Sequence, residues 1–150
     1  VELLQFAHLN GCLLPLGACF IAAARDDLEM IMWAADKNSG WRQVACMAAA
    51  AGGSLNILKW ARAADCPWDA TTCNTAARFG DLNILQWARS KQCPGDGRTC
   101  SEAAAGGHLG ILQWAGANGC SWDHRTCRSA AGRGDLEMLQ WARPYGCDWD

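Results

Sequence analysis

Tryptophan and cysteine recur through this chain at a fixed interval of 27 residues. Trp33, Trp60, Trp87, Trp114 and Trp141 form one column, which Phe6 joins one step earlier. Trp41, Trp68, Trp122 and Trp149 form a second, with Leu14 and Gly95 as departures. The ten cysteines fill two more: Cys12, Cys66, Cys93, Cys120 and Cys147, interrupted at Ser39, then Cys19, Cys46, Cys73, Cys100 and Cys127. Self-similarity at such a period marks a repeat array, in which each unit packs only on its neighbours. The expectation is one array over residues 1–150, about five units long and partial at both ends. Neither end carries the polar outer face of a terminal cap, which predicts a segment of a longer array.

Composition narrows the class. Apolar residues make up 51% of the chain and charged ones 19%, which suits a folded protein rather than a disordered one. The formal net charge of −2 provides no global field for a polyanion, so nucleic acid is not the expected partner. The longest apolar run, Leu13–Ala24, contains Pro15 and Gly17 and falls short of the roughly 20 residues that span a bilayer. No transmembrane segment is expected, and no signal-peptide pattern is present.

One repeat can be read physically from Thr72 to Thr99. Thr72 opens a short alanine-bearing helix through Arg78, and Thr99 with Glu102 has the spacing of a capping box. Gly53, Gly80, Gly107 and Gly134 share the phase that ends this first helix. Asp27, Ser54, Asp81 and Asp135 then stand where a second helix needs an N-cap, a place His108 fills less well. In Leu82–Arg89 the polar residues Asn83 and Gln86 share one stripe and most of the remainder is apolar, so the helix is expected to lie buried between neighbours. A turn such as Cys66-Pro67-Trp68-Asp69 or Cys120-Ser121-Trp122-Asp123 closes the unit. The predicted fold is all-α, a stack of helix-turn-helix units.

The order Thr-x-x-x-Ala-Ala-x-x-Gly-x-Leu-x-x-Leu followed by a Gly-Cys-x-Trp-Asp turn resembles the ankyrin repeat. Thr126-Cys127-Arg128-Ser129-Ala130-Ala131 is similar to that family's Thr-Pro-Leu-His-x-Ala-Ala segment. Gly107-His108-Leu109-Gly110-Ile111-Leu112 resembles the start of its second helix, and Gly119-Cys120-Ser121-Trp122-Asp123 its exit. Cys stands in place of Pro, the Leu-His pair is absent, and each unit is about six residues shorter than the usual 33. The shortfall lies between the exit turn and the next Thr, where the family builds a projecting β-hairpin. The resemblance implies an ankyrin-like solenoid with shortened loops that binds a protein partner through its loop and first-helix face.

Each repeated residue type also has a chemical reading. Cys66/Cys73, Cys93/Cys100 and Cys120/Cys127 lie seven apart across the loop, and buried thiols, loop disulfides and metal ligation are all open to them. Metal is disfavoured because each loop offers two thiols where tetrahedral zinc wants four ligands. Reduced, buried thiols would suit an intracellular, reducing compartment, cytoplasmic or organellar. The first tryptophan column, next to Ala and Leu on the second helix, reads as core rather than as a stacking platform for bases. The second, at the loop edge, reads as packing under the loop. Arg62, Arg89 and Arg143 recur near the end of the second helix, where a cation complements the helix dipole.

No nucleophile–base–orienter set and no phosphate loop can be assembled. His8, His108 and His124 occupy three different phases, so no catalytic residue, cofactor or metal is assigned and no enzyme is expected. Function should reside where the repeats diverge, at the loop tip and first helix. At these positions the N-terminal units are apolar, with Leu13, Leu16, Phe20, Ile21, Val44 and Met47. The C-terminal ones are polar, with Asn74, Arg98, Arg125 and Arg128. The leading expectation is a non-enzymatic scaffold that binds another protein through these residues, as an accessory subunit of a larger assembly. The alternative is a redox-responsive or metal-binding module that uses the Cys columns.

Overall fold

The computed structural model describes residues 9–12, 14–120 and 124–145, which fall in two compact units, Val1–Trp68 and Asp69–Asp150. The first unit carries α1 (Gly17–Ala24), α2 (Leu28–Lys37), α3 (Ser39–Gly52) and α4 (Leu55–Ala63). The second carries α5 (Ala70–Phe79), α6 (Leu82–Ser90), α7 (Arg98–Gly106), α8 (Leu109–Ala117), α9 (His124–Arg133) and α10 (Leu136–Ala142), then a 3-10 turn at Arg143–Tyr145. Among the described residues there is no strand, so the shortened exits carry no β-hairpin. Within the first unit α1 packs on α2, α3 on α4, and α1 on α3. The second unit repeats this arrangement: α5 with α6, α7 with α8, α9 with α10, and α7 between α5 and α9.

The sequence shows why the helices stop and restart where they do. Gly53, Gly80 and Gly107 close α3, α5 and α7 in the left-handed conformation, with φ of 72°, 89° and 80°. That region is open to glycine at no steric cost. The next helix starts one residue later on a side-chain cap. Asp27, Ser54, Asp81 and Asp135 accept from the backbone N–H of Met30, Ile57, Ile84 and Met138. His108 makes no such cap bond, and its Nε2 instead meets the Arg78 carbonyl at 3.1 Å.

The first helix begins earlier than the sequence predicts. Thr72 and Thr99 are not caps; both lie inside their helices and are buried. In α5 the aspartate of the exit turn caps instead; in α7 the N-cap is Gly97, and the turn aspartate stands one residue ahead of it. Asp69 accepts from Thr71 N at 2.8 Å, and Asp96 from Arg98 N at 2.9 Å. The capping box of Thr99 and Glu102 therefore does not form. Thr99 Oγ1 donates to Asn74 Oδ1 at 2.8 Å, and Glu102 pairs with Arg78 at 2.8 Å. A carboxylate two residues ahead of the N–H groups outcompetes a hydroxyl because its charge also complements the helix dipole.

Small residues let the first helices approach closely. Ala45, Cys46, Ala48 and Ala49 of α3 are buried, and a Cβ on Gly52 would lie 2.5 Å from the carbonyl carbon of Ala23 in α1. The second helices supply the bulk: Ile57 and Leu58 in α4, Ile84 and Leu85 in α6, Ile111 and Leu112 in α8. Each such side chain contributes about 1.5–3 kcal/mol on burial. Asn83 and Gln86 face solvent, as the polar stripe of α6 requires. The first tryptophan column is less buried than expected, while Trp41 packs under the loop as expected. Trp33, Trp60, Trp87, Trp114 and Trp141 are half-buried, whereas Trp41 of the loop-edge column is 0% exposed. Trp41 Nε1 is buried and meets no hydrogen-bond acceptor among the described residues.

Candidate functional site

The first unit carries its divergent apolar residues on two helices that pack together. Ile21 of α1 is 58% exposed and Leu16, just before it, 44%; Phe20 of the same helix is half-buried. Val44 and Met47 of α3 are half-buried too. Leu13 lies outside the described residues, as do Phe6, His8, Trp122, Cys147 and Trp149. Leu9 and Met32 are also exposed, so among its described residues this unit shows solvent four large apolar side chains. The second unit, with more described residues, shows two, Phe79 and Leu136. Scattered exposed apolar groups are ordinary; Leu16, the N-cap of α1, and Ile21 within it bring two of them to one short segment.

The polar candidates of the second unit divide. Arg98, Arg125 and Arg128 are exposed. Arg98 Nε reaches Asp96 Oδ2 at 3.2 Å, which dilutes its charge. Asn74 is buried and uses both ends of its amide: Nδ2 donates to Asp96 Oδ1 at 3.0 Å while Oδ1 accepts from Thr99. It ties α5 to the turn before α7. Burial opposes ionisation of Asp96, yet the Asn74 amide and the Arg98 backbone and guanidinium hold its carboxyl below the usual range. Asp96 therefore keeps its charge to lower pH than an ordinary carboxylate, and with it the bond to the Arg98 N–H.

Cysteines of the two columns meet, but not across the loop. Cys100 in α7 is disulfide-bonded to Cys120, which follows α8, with Cα atoms 6.3 Å apart and a sequence separation of 20. Cys46 in α3 stands in the same relation to Cys66, which follows α4, and its Sγ lies 3.8 Å from the Cys66 carbonyl. Cys73 and Cys93 are hydrogen-bonded through their side chains. The expected spacing of seven is thus replaced by its complement in the repeat. The reason is geometric: residues seven apart belong to successive helix pairs, whereas those twenty apart face each other across one pair. A loop disulfide such as Cys93–Cys100 or Cys120–Cys127 is not formed.

These thiols differ chemically. Burial pushes Cys19 and Cys46 up to about 12, with the charge of Cys66 adding to it. Burial raises Cys66 as well, although Arg42 and Arg62 oppose it. Cys73 goes the other way: the hydrogen bond from Cys93 outweighs burial and lowers it. Cys93 has one proton to give. In the neutral pair its Sγ reaches the Asp69 carbonyl at 3.4 Å, and a Cys73 thiolate would draw that proton instead. Among the described residues no three His, Cys, Asp or Glu side chains gather as a metal ligand set.

One functional pattern went unread in the sequence. Arg62 and Arg89, expected to act on the helix dipole alone, each donate from Nη1 to the carbonyl of the exit cysteine, Cys66 and Cys93. The guanidinium of Arg62 also lies 4.3 Å from the ring centroid of Trp68. The Arg and Trp columns, six residues apart, carried that signal. No helix among the described residues is long and apolar enough to cross a membrane. Compared with protein-family models, with curated proteins and with solved structures, the chain matches none.

Proposed function

We propose that this chain is a non-enzymatic interaction scaffold, an ankyrin-like solenoid that holds another protein through its loop and first-helix face. The observation that carries the reading is the exposure of Leu16 and Ile21, with Phe20, Val44 and Met47 half-buried, on two helices that pack together and at positions where the repeats diverge. Desolvating such side chains drives association, at roughly 25 cal/mol per Å² of apolar surface before ordering costs. The nearest-neighbour packing within each unit supports the repeat reading, since such packing leaves one face of every helix pair open along its length. The C-terminal arginines, exposed and partly paired, would act as a polar rim that selects orientation more than affinity.

The test is cross-linking mass spectrometry on natively purified protein, paired with the double variant Leu16→Asp, Ile21→Asp. Links from Lys37 and its surroundings to one defined protein, lost in the variant while the helical signal persists, support the reading. A protein that runs alone, or binding that survives the variant, sinks it.

A second reading rests on the cysteine pairs. The Cys100–Cys120 bond and the paired Cys73 and Cys93 suit a redox-responsive module. Partner binding should then change with dithiothreitol, and binding indifferent to thiol state would remove this alternative.

A further inference from the structure

The second tryptophan column breaks at Gly95, and a cavity of about 200 Å³ lies at the break. Leu85, Thr99 and Ala115 line it as buried residues, Trp114 lines it half-buried, and Arg89 and Gly95 border it where the chain is exposed. One repeat earlier the place is filled. Arg62, fixed by its bond to the Cys66 carbonyl, lies 4.3 Å from the centroid of the Trp68 indole. Arg89 makes the same bond to the Cys93 carbonyl, at 2.9 Å, which keeps its guanidinium at the exit turn. The residue 27 after Trp68 is Gly95, and a Cβ there would stand 2.7 Å from Arg89 Nη1. The guanidinium borders the cavity and leans over the glycine, and the ring that Trp68 supplies one repeat earlier is missing.

We propose that this cavity is a binding site for an indole ring supplied from outside the chain, stacked on Arg89 as Trp68 is stacked on Arg62. Volume favours it: a cavity of about 150 Å³ suffices for benzene, and this one is larger by enough for a second fused ring. Charge favours it too. Asp96 also lines the cavity, but its carboxylate is engaged by Asn74 and Arg98, and among the described residues Arg89 forms no ion pair. A cation without a carboxylate partner beside an apolar floor selects an aromatic face over an aliphatic one. The planar guanidinium suits such stacking better than an ammonium does. The site lies wholly within the second unit and does not depend on the scaffold reading.

The ring can come as a free small molecule or as a tryptophan side chain of a peptide. Titrating the full chain with indole and, separately, with N-acetyl-tryptophanamide distinguishes them, with the Trp114 and Ala115 resonances as the NMR readout and cyclohexanol as the non-aromatic control. Indole is expected to bind with a Kd on the order of 1 mM, and cyclohexanol more weakly. If N-acetyl-tryptophanamide binds at least as well, the source is a side chain; if only indole binds, it is a small molecule. Gly95→Trp fills the cavity from within, because only the mobile end of Arg89 needs to shift. It should abolish binding and raise Tm by about 2–4 °C. Arg89→Lys keeps the charge, loses the stacking plane and should weaken indole binding about three-fold. Absence of shifts in the wild type overturns the proposal, as does undiminished binding in folded Gly95→Trp. If Gly95→Trp does not fold, undiminished binding in Arg89→Lys overturns it equally.

Discussion

The helix pairs α3–α4 and α7–α8 share one sequence template and differ in what they do with it. In the first, Cys46 and Cys66 are free thiols with Cys46 Sγ on the Cys66 carbonyl, Trp68 covers Arg62, and Val44 and Met47 stand on the first helix of the pair. In the second, Cys100 and Cys120 are joined, and Ser101 and Glu102 occupy the first helix. Between them in sequence, α5–α6 lacks the covering tryptophan altogether. The inner helices hardly change: Ile57 and Leu58 answer to Ile111 and Leu112, all buried. A repeat of this kind holds its fold in one set of columns and is free to alter chemistry in another.

The largest effect should test the constant part. Leu58→Ala and Leu85→Ala each remove a fully buried side chain and should cost about 2–5 kcal/mol in urea unfolding. A much cheaper change in either unit would break the equivalence of their inner helices.

Reduction should come next, and should act on one unit only. Opening the Cys100–Cys120 bond releases a 20-residue loop, for a loss of about 3 kcal/mol. Calorimetry with and without dithiothreitol should show a lower Tm in the wild type. Cys66→Ala should leave that difference intact, because it touches the other hairpin.

Alkaline pH should sort the units in the opposite sense. Cys19 and Cys46 ionise near 12 when folded, above the free-thiol value of 9.0, so the unfolded chain loses these protons first. Their contribution is complete below pH 9.0 and falls as pH rises toward about 12, by at most about 1.4 kcal/mol per pH step for each group. Cys46→Ala should flatten that alkaline decline in chemical unfolding curves. An unchanged slope would show that the thiol titrates normally.

The smallest effect concerns the exit of the second helix. Asp65 and Gln92 hold φ of 54° and 62°, where Gly119 holds 82° at the same phase. Gln92→Gly should therefore gain up to about 1 kcal/mol and Gly119→Gln should lose a similar amount, read as opposite shifts in Tm.

What the sequence made legible was periodic. The glycines that end first helices, the Asp and Ser caps of second helices and the solvent stripe of Asn83 and Gln86 follow from local chemistry, and all stand where expected. The start of the first helix was misread because Thr72 is a good cap in isolation, and the competing Asp69 carboxylate was taken as part of the turn. Buried thiols describe Cys19, Cys46, Cys66, Cys73 and Cys93, but the disulfide option was placed at the wrong spacing for a related reason. Spacings of seven and twenty are the same pattern in a 27-residue period, and only the path of the chain chooses between them. The first tryptophan column is only half-buried because a helix position fixes a direction, while the depth of cover depends on neighbours. The cavity at Gly95 was visible as a gap in a column, but its chemistry needed the posture of Arg89.

The twenty-residue cysteine spacing has a topological consequence. The spans 46–66, 73–93 and 100–120 have no residue in common. Rings closed at all three would sit along the backbone like separate beads, none nested in another. No segment would have to be threaded, and the order of closure would leave no knot or trapped intermediate. The chain could gain or lose such links one hairpin at a time, whatever the length of the array.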